Sequence, residues 1–147
     1  MPDRIATTRW TGDLINGSGT VTLVSSGAGG FTVSLPTRAG EPDGQTSPEE
    51  LVAAAHAACY SMQLSALLTA SGTPPDRIDT TATVSQNLRG EAYLITEIRL
   101  VVRAVVPGAD PAGFRRSAER AKEVCPVSVA LSATPITLDA ELDQVPA

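Results

Sequence analysis

The sequence predicts an α+β fold in which antiparallel β-hairpins wrap a long central helix. Three observations lead there. Strand-like and helix-like stretches run in the order strands, helix, hairpin, helix, strand, which groups the hairpins instead of alternating them with helices. Leu51 to Pro75 carries no formal charge, so a helix there has no charged face to turn to water and belongs at the centre of the fold. The 147 residues are 42% apolar and 18% charged, which suits one domain, 1–147, with a substantial core. With aromatics at only 3%, such a chain covers its central helix poorly alone, and an intimate homodimer is expected on packing grounds.

The first third reads as strands. Thr7 to Trp10 is followed by a turn-rich stretch containing Asn16-Gly17, a strong turn signal. Thr20 to Val24 is β-rich. Phe31, Val33 and Leu35 alternate with Thr32 and Ser34, the pattern of a half-buried strand. Pro36 to Thr46 reads as a loop. Ser47 then caps a helix, with Pro48 first and Glu50 placed for a capping box. Gly72 and Pro74-Pro75 end it near Ser71. The stretch is long enough to span a bilayer. Its Ala, Ser and Thr content, with His56 and Gln63 inside, opposes insertion and favours a buried helix in a soluble protein with no membrane partner.

A hairpin follows. Ile78, Thr80, Ala82, Val84 and Leu88 share one face of its first strand, and Arg89-Gly90 turns the chain. Leu94, Ile98, Leu100, Val102, Ala104 and Val106 line one face of the second, with Glu97, Arg99 and Arg103 opposite in water. Asp110 caps a second helix, Pro111 opens it, and Phe114, Ala118, Ala121 and Cys125 form its inner stripe. Pro126 interrupts that helix and starts a new turn. The last strand spans Pro135 to Leu142, with Ile136, Leu138, Ala140 and Leu142 inward.

Charge and cysteine count exclude several function classes. The net charge of -5 repels phosphate, so nucleic acid is not a partner. Two cysteines, Cys59 and Cys125, and one histidine, His56, cannot build a disulfide scaffold or a Cys₂His₂ or Cys₄ zinc site. No C-x-x-C occurs. Met1-Pro2-Asp3-Arg4 has no apolar run, which predicts no leader and a cytoplasmic location, where thiols are reduced.

Local physics leaves the cysteines open between two roles. Free cysteine often packs as a small hydrophobe. Cys59 shares a helical stripe with Val52, His56 and Gln63, and His56 could serve it as a base. Cys125 precedes Pro126 at the start of a helical turn, where backbone N–H groups favour a thiolate. On this argument alone Cys125 is the more reactive thiol.

Ser47-Pro48-Glu49-Glu50-Leu51-Val52-Ala53-Ala54-Ala55-His56-Ala57-Ala58-Cys59-Tyr60-Ser61-Met62 resembles the first cysteine motif of the OsmC/Ohr family of thiol peroxidases. Ala121-Lys122-Glu123-Val124-Cys125-Pro126-Val127-Ser128 resembles the second. Trp10-Thr11-Gly12-Asp13 and Gly17-Ser18-Gly19-Thr20-Val21 resemble the family's N-terminal hairpin. The His-Ala-Ala-Cys and Cys-Pro-Val-Ser forms point to the OsmC branch. The resemblance implies an OsmC-like fold, an intertwined homodimer with sites at its interface, and reduction of hydroperoxides, organic ones above all, with no resident cofactor and no metal. Cys59 matches the peroxidatic position, Cys125 the resolving one, Glu49 the acidic residue and Arg38 the arginine of the loop before the helix. The implied reductant is a dithiol such as a lipoylated protein.

This set suits the chemistry. A peroxidatic cysteine must be a thiolate, which a guanidinium stabilises. Arginine also donates to peroxide oxygens as the O–O bond breaks, and a carboxylate orients it. Ten residues of straight helix separate Glu49 and Cys59 by about 15 Å and about 280°. A bent helix, a spanning Arg38 side chain or a Glu49 supplied by the partner would each reconcile them. The apolar neighbours Leu51, Val52, Met62 and Leu64 would favour alkyl or lipid hydroperoxides. The alternative is a non-catalytic protein on the same fold that binds a small ligand or senses redox state.

Overall fold

The structure, a computed structural model, describes residues 3–143. Met1 and Pro2, part of the segment behind the no-leader expectation, lie outside the described residues. The chain divides into two compact units, Met1–Leu51 and Val52–Ala147.

The first unit holds an antiparallel sheet of β1 (Thr7–Thr11), β2 (Ser18–Thr22) and β3 (Gly30–Val33), in that order. In the β1–β2 turn the Asp13 carboxylate accepts from the N–H groups of Ile15 and Asn16, both at 2.9 Å. A Cβ on Gly17 would collide with the Asp13 carbonyl oxygen, so glycine is required there. The alternation expected to run through Leu35 ends at Val33. Ser34 instead caps a short helix, α1 (Leu35–Ala39), accepting from the Thr37 N–H at 3.4 Å with Pro36 in the first turn. Part of the expected Pro36–Thr46 loop is therefore helical, and Arg38 sits in its last turn.

Helix α2 (Pro48–Ala70) begins in the first unit and continues in the second. The Glu50 N–H donates to Ser47 Oγ at 3.1 Å, as the cap requires. The Glu50 carboxylate accepts from the Thr46 hydroxyl at 2.6 Å instead of closing the box on Ser47. At the other end Gly72 has φ 83°. The Thr73 N–H donates to Leu68 O and the Gly72 N–H to Thr69 O, both at 3.0 Å, the Schellman arrangement that stops a helix.

The second unit adds the sheet β4-β5-β6. β4 (Arg77–Arg89) and β5 (Ala92–Val105) form the expected hairpin, with Gly90 at φ 63° in its turn. The register shifts between Ser85 and Gln86, a bulge that breaks the alternation beyond it. Leu88 and Leu94, expected on the buried face, are exposed at the hairpin tip with Tyr93. β6 (Ile136–Leu142), whose direction the sequence left open, pairs with β5 in parallel. Helices α3 (Pro111–Val124) and α4 (Pro126–Ala130) lie between them in sequence and provide the crossover that a parallel pair needs.

The core joins one face of α2 (Tyr60, Leu64, Leu68) to β5 (Leu100, Val102, Ala104) and α3 (Phe114, Ala118, Ala121). The Tyr60 hydroxyl donates to Ala118 O at 2.9 Å and fixes α2 against α3. The opposite face of α2 is uncovered: Ala54, Ala55, Ala58, Met62 and Ala66 are exposed, Met62 by 69%. One chain thus covers one side of this helix, not all of it. By length and composition α2 is also apolar enough to cross a membrane.

Candidate active site

Two elements of the second unit deliver the cysteines. Cys59 lies in the middle of α2, near the boundary between its buried and exposed faces. Cys125 lies at the junction of α3 and α4. Pro126 lacks an N–H and disfavours helical backbone before it, so Cys125 is extended, with φ -60° and ψ 122°. It ends α3 by donating its N–H to Ala121 O at 2.9 Å and opens α4 by accepting from the Val129 N–H at 2.9 Å. Cys125 stays buried with Phe114, Ala118 and Ala121 of the α3 stripe and meets Cys59 of α2. The two sulfurs are 3.2 Å apart, and both thiols are free. Cys125 is fully buried, whereas Cys59 is partly exposed.

The environment sets the two thiols apart. Burial raises the Cys59 thiol above its ordinary value, and the neighbouring Cys125 adds to the rise against a lowering by the Val127 N–H. Burial opposes ionisation of Cys125 as well. There it is outweighed by the Ser128 N–H, the Cys59 thiol, the Ser128 hydroxyl and the Val127 N–H, so Cys125 is lowered. Its side chain makes no cap hydrogen bond of standard geometry, and the N–H groups of this first turn act on the thiol as dipoles that favour its ionised form. Of the two, Cys125 is therefore the more acidic thiol and Cys59 the less acidic. The helix-start argument from sequence gives the same order.

Arg38 and Glu49 meet in the first unit. Arg38 Nε donates to Glu49 Oε1 and Oε2, each at 3.2 Å, and Nη2 donates to Oε1 at 2.7 Å. Glu49 is 8% exposed, and a carboxylate buried to that degree requires a cation. The four residues singled out from sequence are thus brought together as two pairs, Arg38 with Glu49 and Cys59 with Cys125.

Two sequence readings are corrected at the site. His56 is not hydrogen-bonded to Cys59. It is fully buried, and its Nε2 lies 2.7 Å from the hydroxyl of Ser128. Leu64 lies in the core and cannot line a substrate path, whereas Met62 and the neighbouring alanines are open. Ser128 was not singled out as a site residue. Its one signal is its position three residues after Cys125, within the same turn. Among the described residues, no cluster of three or more His, Cys, Asp and Glu side chains is arranged to hold a metal ion.

The family model described as OsmC-like protein matches residues 40–141. The chain is 44% identical over 133 residues to Peroxiredoxin OsmC of Escherichia coli (strain K12), covering 90% of this chain and 92% of that one. Among solved structures it resembles an organic hydroperoxide resistance protein OsmC from Legionella pneumophila, with a TM-score of 0.71 and 22% identity over 96% of this chain and 98% of that one. It also resembles the organic hydroperoxide resistance protein OhrB of Bacillus subtilis, with a TM-score of 0.69 and 24% identity over 95% and 98% of the two chains.

Proposed function

The chain belongs to the OsmC family, and from that premise we propose that it is a thiol-dependent peroxidase that reduces organic hydroperoxides to alcohols through a Cys59–Cys125 disulfide. The observation that carries this reading is the 3.2 Å separation of the two sulfurs. A disulfide has its sulfurs about 2.05 Å apart, so the bond forms with a shift of roughly an ångström and no rearrangement of either helix.

In the cycle, the Cys59 thiolate attacks the outer oxygen of the hydroperoxide. The O–O bond breaks, the alkoxide takes a proton and leaves as alcohol, and Cys59 becomes a sulfenic acid. The Cys125 thiolate attacks that sulfur, the hydroxyl leaves as water after protonation, and the disulfide closes. An external dithiol returns both cysteines to the reduced state, for which we propose a lipoylated protein. Cys59 takes the first role because it is the partly exposed thiol of the two. Since burial holds its proton on, it needs a cation, and Arg38, oriented by Glu49, is proposed for that task.

The proposal extends to assembly and location. The uncharged exposed stripe of α2 (Ala54, Ala55, Ala58, Met62, Ala66) is what a second copy would cover in a homodimer. That stripe beside Cys59 favours alkyl over inorganic peroxides. The two units are read as one OsmC-like domain, since the family match and α2 both run across their boundary. A cytoplasmic location suits a thiol pair that must be kept reduced.

Steady-state consumption of an alkyl hydroperoxide with a dithiol donor tests the reading. Cys59→Ser abolishes turnover, and Cys125→Ser leaves a single turnover that ends as a sulfenic acid. Undiminished turnover in Cys59→Ser overturns it.

A further inference from the structure

His56 and Ser128 play no part in this cycle, yet they are buried alongside it, His56 completely and Ser128 to within 4% exposure. Their contact, Nε2 to Oγ at 2.7 Å, joins residues 72 positions apart. The other ring nitrogen, Nδ1, is buried and meets no hydrogen-bond partner among the described residues. This settles the tautomer. Burial lowers the pKa of the imidazole and so favours the neutral ring, which has one proton to place. On Nδ1 that proton would be a buried donor with no acceptor. On Nε2 it reaches Ser128 Oγ, and only a lone pair is left unmet, the lesser cost. Ser128 therefore accepts from His56, and its own proton is free for another acceptor. Ser128 follows Cys125 by three residues in the turn that Cys125 opens, with the Val129 N–H bonded to Cys125 O at 2.9 Å. Its hydroxyl acts on the Cys125 sulfur in the sense that favours negative charge.

We propose that His56 and Ser128 are positioning residues for the reductive half of the cycle: His56 fixes the Ser128 hydroxyl so that its proton points at Cys125, making Cys125 the sulfur that departs with the charge when a dithiol opens the disulfide. The inference rests on Cys59 and Cys125 being a redox couple. A dithiol thiolate attacks Cys59, the more exposed sulfur. The S–S bond breaks with its electron pair leaving on Cys125. The second dithiol sulfur then displaces Cys59 and closes the dithiol's own disulfide. Two electrons pass to the protein. Of the dithiol's two protons, one ends on Cys59 and one in solvent. Because the arrangement favours the reduced form, it makes the protein disulfide more oxidising. The other titratable groups acting on this sulfur are Cys59 and Tyr60 from α2. Glu119 of α3 acts on Tyr60 and is paired with Lys122 at 2.7 Å.

The test is the equilibrium of the Cys59–Cys125 disulfide against dithiothreitol, read by mass together with ultraviolet titration of thiolate. Ser128→Ala shifts the equilibrium toward disulfide, and a tenfold shift corresponds to about 30 mV. It also moves thiolate formation to higher pH. Ser128→Thr keeps the hydroxyl and restores wild-type behaviour. His56→Leu reproduces Ser128→Ala, while His56→Gln, which retains a donor near the Nε2 position, shifts less. An equilibrium and titration unchanged in Ser128→Ala overturn the proposal, as does a Ser128→Ala shift with none in His56→Leu. Neither readout requires peroxide. If the wild type fails to consume hydroperoxide while the Ser128→Ala shift persists, the peroxidase reading falls and this inference stands.

Discussion

Cys125→Ser opens a closed two-thiol cycle, and the distance between the sulfurs sets the size of the effect. One reactant held within 3.2 Å of its target has a local concentration of roughly 10 M, before any gain from orientation. An external monothiol at about 1 mM therefore competes for the Cys59 sulfenic acid at a disadvantage of about ten-thousandfold. The assay is intact mass and peptide mapping after one equivalent of alkyl hydroperoxide with that monothiol present. Wild-type protein gives the Cys59–Cys125 disulfide, with mixed disulfide below detection. Cys125→Ser gives nearly complete mixed disulfide on Cys59 and, without monothiol, a sulfenic acid that a carbon nucleophile captures. Comparable mixed disulfide in both proteins would refute the reasoning, since Cys125 would then not be reacting from the position it occupies.

Four other outcomes follow from the geometry. Burial and the adjacent Cys125 raise the Cys59 thiol, so the thiolate that consumes peroxide becomes more abundant as pH rises toward that value. Cys125→Ser removes the second cause and moves the single-turnover pH profile to lower pH, and a profile that stays or moves upward contradicts the part given to Cys125 in raising the Cys59 thiol. Arg38→Ala lowers kcat/KM by about a hundredfold or more, the usual cost of removing a donor that stabilises developing charge. A mixed dimer of Glu49→Ala and Cys59→Ser subunits then distinguishes a partner-supplied Glu49, which recovers one site, from a same-chain one, which recovers none. Met62→Lys places a charge on the exposed stripe of α2, and sedimentation should show the proposed homodimer replaced by monomer, whereas a dimer that persists would remove that face from the interface.

The helix boundaries were legible because their signals are local. Ser47-Pro48 and Asp110-Pro111 each cap and open a helix, and Asp110 does accept from the Gly113 N–H at 2.8 Å. The Phe114, Ala118, Ala121 and Cys125 stripe is buried as its periodicity required. α1 was missed because five residues carry no periodicity, and its only signal is Ser34 and Thr37 around Pro36. The direction of β6 depends on which end of β5 the crossover returns to, and no residue within β6 encodes that. The bulge at Ser85/Gln86 was hidden for a related reason: alternation reads each strand alone, whereas a bulge is a property of the pair.

The site divides in the same way. The acidity of Cys125 followed from the helix start beside it, a feature of four consecutive residues. The pairing of Cys59 with Cys125 and of Arg38 with Glu49 came from resemblance to a family, and local physics alone did not supply it. The contact between His56 and Ser128 was illegible in either way. It joins two helices 72 residues apart in sequence, and His56 on its own stripe pointed as readily to Cys59. Only the packed arrangement decides between those partners.

The most direct test of the central claim is intact mass with a free-thiol count, before and after one equivalent of cumene hydroperoxide. The account predicts rapid loss of both thiols and of two hydrogens, reversed by a dithiol and abolished in Cys59→Ser. Two thiols still free after many minutes would contradict it. Cys59 and Cys125 would then be packing residues, and the exposed face of α2 would belong to a binding protein.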